Sequence, residues 1–292
     1  MNRRHSMTRR HGVAAAALVL GLSMSGAALA QQTLKVGSTP TGVPFTFLDT
    51  KTNKIDGAMV ELMEAVGKEA GFTPQIEATP FSALIGALNS NRIDIINAAM
   101  YVTPVRQEQV AFTKPYFGYG EALFVKKSDA KDYKSFEDLK GEVVGAQVGT
   151  AYVDALKKNS LFAEVKVYDT IPDILRDVNA GRIKAGFADM PIVAYNVNKL
   201  GLFPEVKLAP GYAATMKGAV AMAVRKSDTE LLGKLNAALD KLTANGTVKT
   251  IWAKYGLTVD WDAKPGAPCA GRSSSRVTGS PGIGSGHAII LA

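Results

Sequence analysis

The chain has one cysteine, Cys269, and three histidines, His5, His11 and His287, in 292 residues. All four lie outside residues 31–262, the stretch whose hydrophobic patterning reads as folded. A core without histidine or cysteine cannot assemble a Ser-His-Asp triad, a cysteine nucleophile or a zinc centre of the usual ligands. No D-x-[DN]-x-[DN]-G run supplies a carboxylate loop for calcium either. The expectation is therefore a protein with no metal, no other cofactor and no reaction of these classes. Acidic residues are missing from both ends. Residues 1–30 hold Arg3, Arg4, Arg9 and Arg10, and residues 263–292 hold Lys264, Arg272 and Arg276, with no acid in either segment. Without them the net charge of +8 falls to about +1, so no nucleic-acid partner is expected. After residue 30 no apolar run is long enough to cross a bilayer.

The two ends differ in texture from the middle. Residues 1–30 run from a basic start through GVAAAALVLGLSMSGAALA to Ala28-Leu29-Ala30, the layout of a cleaved export signal, with Gln31 as the expected mature N-terminus. The pair Arg9-Arg10 leaves the twin-arginine route open beside the general one. Residues 263–292 are rich in Gly, Ser and Pro without periodicity, which predicts a disordered or non-native tail.

Between the ends, strands and helices alternate. A strand at Leu34 is followed by an exposed loop at residues 49–54 and a helix from Gly57 with Met59, Leu62, Met63 and Val66 on its inner face. A strand near residues 75–77, a helix carrying Leu84 and Leu88, and a strand at 93–97 complete a βαβ pattern. Residues 121–126 (EALFVK) open a second series, with strands at 142–147, 165–168 and 183–187 and helices reaching Lys158 and spanning 171–179. Capping boxes are expected at Ser135 with Asp138 and at Ser227 with Glu230, and Thr150 is expected to cap the helix that follows it.

Shifting the chain by ninety residues places Leu88-Asn89-Ser-Asn-Arg92-Ile93 over Val178-Asn179-Ala-Gly-Arg182-Ile183, and Ala99-Met100 over Asp189-Met190. The expectation is an α/β protein of two similar lobes, each a mainly parallel sheet flanked by helices. Lobe 1 is expected at residues 31–121 and 222–262, and lobe 2 at 122–221. The strands at 121–126 and 218–225 are the expected paired crossovers of the hinge.

The stretch Tyr101–Phe117, YVTPVRQEQVAFTKPYF, follows the strand at 93–97. Open α/β sheets bind ligands beyond the carboxyl ends of their strands, which is where Arg106 falls. Its planar fork matches a carboxylate, and Thr103 offers a hydroxyl on the same side of the turn. The alternative for Arg106 is a solvated arginine at a helix start. In the repeat, Asp189 occupies the corresponding mouth of the second sheet, either as a ligand contact or as the cap of a helix beginning at Pro191.

The order of GAMVEL (57–62), ALIGALNSNRIDIINAAM (83–100), TPVRQEQVAFTKPYF (103–117), SFEDLKGEVVGAQVGTAY (135–152), AGRIKAGFADMP (180–191) and NGTVKTIWAKYG (245–256) resembles the polar amino-acid-binding proteins of bacterial ABC importers. The resemblance implies a monomeric periplasmic binding protein of type II fold. Its two lobes, joined by a two-strand hinge, would close on a free amino acid and deliver it to a membrane ABC permease. It also implies that Arg106 holds the α-carboxylate with help from Thr150 and nearby amides, and that Asp189 holds the α-ammonium. Thr103, Tyr101, Phe81, Ala99 and Thr39 complete the candidate ligand-binding set. Phe81 and Tyr101 are the expected cleft walls, while Phe45 and Tyr116 suit either wall or core. Relatives that bind basic amino acids commonly carry an acid where Thr39 stands, so a basic ligand is disfavoured. Two alternatives use the same fold, a cyclohexadienyl-dehydratase-like enzyme with Glu61 or Glu121 as its acid, and a secreted ligand-sensing module.

Overall fold

Parallel pairing begins where the alternating pattern begins. In the computed structural model, which describes residues 31–257, strand Gln32–Ser38 lies between Phe72–Ala78 and Ile95–Ile96, parallel to both. Ala223–Val224 and Ala111–Phe112 complete this first sheet in antiparallel fashion. The second sheet repeats the plan. Val143–Gln147 lies between Glu164–Tyr168 and Ala185–Asp189 in parallel, and Glu121–Lys126 and Val206–Leu208 are added antiparallel. The export signal expected at residues 1–30 and the tail expected at 263–292 lie outside the described residues.

The ninety-residue repeat extends to single hydrogen bonds. The Arg92 N–H donates to Ala87 O at 2.9 Å, and the Arg182 N–H donates to Asp177 O at 2.9 Å. The residues before these arginines, Asn91 and Gly181, have φ of 58° and 72°, the left-handed turn that lets each helix end and its strand begin. The same local chemistry therefore aims two strands at two mouths.

Helix Ala58–Ala70 buries Met59, Leu62, Met63 and Val66 completely and stops at Gly71, whose φ of 81° suits a residue without a side chain. Helices Thr229–Ala244 and Thr247–Lys254 pack against it and so return the chain end to the first sheet. Trp252 is fully buried there, with its ring centre 4.9 Å from Phe117 and 6.1 Å from Tyr116. Trp252→Ala is expected to cost about 3–5 kcal/mol of stability, read as a lowered denaturation midpoint by circular dichroism.

The hinge differs from the expected one. Phe117–Tyr119 pairs antiparallel with Gly218–Val220, and these two strands form the crossover. Residues 121–126 instead belong entirely to the second sheet, and the run 218–225 is split, its end Ala223–Val224 lying in the first. The chain passes between sheets at Ala221-Met222, so one continuous apolar run serves two structures. A Cβ on Gly218 would collide with the Tyr101 ring, which explains a glycine at the start of this crossover.

Three smaller expectations are also revised. The strand expected at 93–97 is reduced to Ile95–Ile96. No capping box opens Thr229–Ala244, because Ser227 Oγ meets Asp228 Oδ1 and Glu230 pairs with Lys234. At Ser135 the expected box forms, with the Ser135 N–H donating to Asp138 Oδ2 at 3.1 Å.

Candidate functional site

Arg106 lies in the short helix Pro104–Gln107, begun by a proline with a fixed φ and by Thr103, whose hydroxyl accepts the Arg106 N–H at 3.3 Å. Thr103 thus orients Arg106 through the backbone. The guanidinium is buried, only 8% of the residue being exposed. Its Nη1 donates to Tyr101 O at 2.7 Å and its Nη2 donates to Gly149 O at 2.9 Å, and its carbon lies 5.5 Å from the centre of the Phe81 ring. The carbonyl of Gly149 comes from the loop after strand Val143–Gln147 of the second sheet, so Arg106 ties one lobe to the other. Two of its five N–H groups are used, which leaves three for an anion.

Asp189 ends strand Ala185–Asp189, and no helix amide takes its side chain as a cap. Its Oδ1 accepts from Tyr152 Oη and its Oδ2 accepts from Tyr119 Oη, both at 2.8 Å. Tyr152 belongs to helix Ala151–Lys158 of the second lobe, whereas Tyr119 is on the hinge strand. Burial pushes the Asp189 carboxyl up to about 6, and the two phenols and the Arg106 charge only partly oppose it. Burial, and then the Asp189 charge, push both tyrosines well above their usual range, so they remain donors.

Proton counting agrees with a raised Asp189. Tyr119 Oη lies 2.7 Å from Ala99 O as well as 2.8 Å from Asp189 Oδ2, and one hydroxyl proton cannot serve two acceptors. With Asp189 protonated, its carboxyl donates to Tyr119, and Tyr119 donates to Ala99. Ala99 itself holds a left-handed φ of 54°, unusual for a residue with a side chain, and this conformation presents its carbonyl to Tyr119.

A cleft lies beside Asp189, and Thr39, Phe81, Ala99 and Asp189 of the expected set line it, whereas Arg106, Thr103 and Thr150 are not among its lining residues. Tyr101 stands behind this lining, its hydroxyl donating to Tyr119 O at 2.9 Å and lying 2.8 Å from Tyr152 Oη. Thr150 differs from expectation. Its hydroxyl donates back to Gln147 O at 2.6 Å and caps no amide, because the preceding tight turn brings that carbonyl closer than the helix N–H groups. Phe45 is both core and wall, while Tyr116 is core, its hydroxyl on Asn97 and its ring on Trp252.

Neither acid considered for catalysis faces the cleft. Glu61 pairs with Lys254 on the surface, and buried Glu121 accepts from Tyr212, Thr215 and the Met216 N–H. Sequence reasoning did not identify Tyr119, Tyr152, Gln147 or Thr46. For Tyr152 a signal was available, since it stands in the first turn of the helix that begins after Thr150.

The family described as bacterial extracellular solute-binding proteins, family 3, matches residues 34–258. The putative ABC transporter arginine-binding protein 2 of Escherichia coli K12 is 34% identical over 243 residues, 82% of this chain and 96% of that protein. The L-cystine-binding protein TcyJ of the same strain is 29% identical over 252 residues, 84% of this chain and 93% of that protein. Among solved structures, an ancestral arginine-binding protein bound to arginine is 34% identical with a TM-score of 0.70, covering 76% of this chain and 97% of that one. An ancestral arginine-binding protein bound to glutamine is 35% identical, with the same TM-score and coverage. Like these structures, the chain has the two-lobed type II fold of periplasmic binding proteins, and it belongs to the bacterial extracellular solute-binding proteins, family 3.

Proposed function

We propose that this protein captures a free α-amino acid between its two lobes and presents the closed form to a membrane ABC permease. One observation carries the reading. Arg106, buried against Phe81 of the cleft wall, and Asp189, half-buried in the cleft lining, are two opposite charges at the mouths of two repeated sheets. A zwitterion answers both. Its carboxylate fits the three remaining N–H groups of Arg106, and its ammonium fits the Asp189 carboxylate. Thr103 positions the arginine, Thr150 stabilises the Gly149 turn that meets it, and Tyr101, Phe81, Ala99 and Thr39 shape the cleft around the ligand. The ligand is held by both lobes and so favours closure.

The relatives' names support import as the purpose. Residues 1–30 direct export to the periplasm, where the protein acts as a monomer. The test is a thermal-shift screen against the standard amino acids and common amino-acid derivatives. Any ligand present at about a hundred times its dissociation constant adds about 2.7 kcal/mol to the folded state and raises the midpoint. A screen without a shift from any α-amino acid contradicts the proposal.

Closure makes a further prediction at Gly149. Its φ is 77°, and a Cβ there would lie 2.9 Å from Ser82 Cα, on the other lobe. Gly149→Ala is expected to weaken ligand binding about tenfold, the effect of an overpacked contact worth about 1–2 kcal/mol. Isothermal titration calorimetry measures it.

A further inference from the structure

The proposed clamp leaves the side-chain end of the cleft with no charge to offer, and this bears on which amino acids fit. Asp189 is the only carboxylate among the cleft-lining residues. Once it faces the α-ammonium, a guanidinium or ammonium on the ligand side chain would be buried without a counter-charge. With Arg106 committed to the α-carboxylate in the proposed clamp, an acidic side chain would be buried without a cation, since the cleft lining contains no lysine or arginine.

What remains is a neutral donor and a neutral acceptor, one on each lobe. Thr39 Oγ1 and Thr46 Oγ1 lie 2.9 Å apart. The two hydroxyls carry two protons and use one between them, so the pair has one left to donate. From the second lobe, Gln147 Nε2 donates to Asp169 O at 2.9 Å. That bond fixes the orientation of the amide and leaves Oε1 as its acceptor, with no described protein donor upon it. Phe45, Ile171 and Ile192 supply apolar wall for a short methylene stem.

A group that accepts from a hydroxyl and donates to a carbonyl, carries no charge and ends a short aliphatic stem is a carboxamide. Resting on the proposed clamp, we infer that the ligand is an α-amino acid with a carboxamide side chain, its amide held between the Thr39–Thr46 hydroxyl pair and Gln147. A purely aliphatic side chain fits the walls but leaves both polar groups without partners.

Calorimetric titration of the purified protein with L-glutamine, L-asparagine, L-arginine, L-lysine, L-glutamate and L-leucine tests the inference. Glutamine or asparagine is expected to bind at least about 100-fold more tightly than the other four. Gln147→Leu is expected to weaken the preferred carboxamide ligand about tenfold or more. Gln147→Glu, which adds the missing carboxylate, is expected to raise arginine affinity relative to glutamine by about tenfold or more. Unchanged circular dichroism spectra in both variants keep these readings independent of folding. Arginine, lysine, glutamate or leucine binding as tightly as the carboxamides overturns the inference and leaves amino-acid capture standing. Binding by none of the six overturns the inference, and the full amino-acid screen decides the proposed function separately.

Discussion

Arg106→Ala is expected to weaken amino-acid binding by about 10²–10⁴-fold, the equivalent of about 3–6 kcal/mol for two charge-assisted hydrogen bonds to a carboxylate. The size of the effect follows from burial. An exposed arginine pairs weakly because water competes, whereas Arg106 is enclosed by Phe81 and by the carbonyls of Tyr101 and Gly149. Arg106→Lys is also expected to fail, because an ammonium cannot reproduce two parallel N–H bonds while holding two carbonyls. The cost in stability is smaller, about 1–2 kcal/mol, since removing the side chain leaves the Tyr101 and Gly149 carbonyls short of a donor. Calorimetry separates the two effects, with affinity falling far more than the unliganded unfolding free energy.

The second large effect is a pH dependence with opposite signs for stability and for binding. Asp189 titrates at about 6 in the folded protein, against 3.8 for the free side chain. Between these values the folded protein holds a proton that the unfolded chain has shed. Stability therefore falls as pH rises through this window and is level above it. Part of Asp189 faces the cleft and retains contact with water, so we expect a loss of about 2 kcal/mol and not the full burial effect.

Binding runs the other way, because the ligand ammonium requires the ionised carboxylate. Affinity is expected to be constant above pH 7 and to weaken about tenfold per unit below pH 6, with proton release on binding. Titration in buffers of different ionisation enthalpy detects the released proton. Asp189→Asn is expected to lower affinity by about 2–5 kcal/mol and to abolish the pH dependence. It is also expected to raise the stability of the unliganded protein at pH 7, because a buried carboxylate that resists ionising is gone.

The architecture was legible because its signals are local. Helix Ala58–Ala70 follows directly from the spacing of Met59, Leu62, Met63 and Val66, and Asn91 and Gly181 mark equivalent turns ninety residues apart. Arg106 and Asp189 could be singled out because each is a charge just past the end of an apolar strand. The hinge is hidden in the sequence because EALFVK and GAVAMAVR both look like complete strands, while the actual crossover pairs Phe117–Tyr119 with Gly218–Val220, segments of only three residues each. Thr150 was misread because capping propensity says nothing about Gln147 O, which competes for its hydroxyl. Tyr119 and Tyr152 could not be linked to Asp189 from the sequence, since the three stand on separate elements that meet only in the folded chain. The local code thus specifies the strands and the charged residues beyond them. The partners that tune those charges arise from tertiary structure.

The central claim is that Arg106 and Asp189 clamp the two ends of a zwitterion. Its most direct measurement compares the amino acid found in the screen with its decarboxylated amine and its deaminated acid, by calorimetry, on the natural protein and on Arg106→Ala. The natural protein should bind each truncated compound at least about 100-fold more weakly than the amino acid. On Arg106→Ala, loss of the ligand carboxylate should cost little more, since its partner is already absent. If the natural protein binds the decarboxylated amine as well as the amino acid, or if Arg106→Ala still discriminates fully between them, the clamp is contradicted.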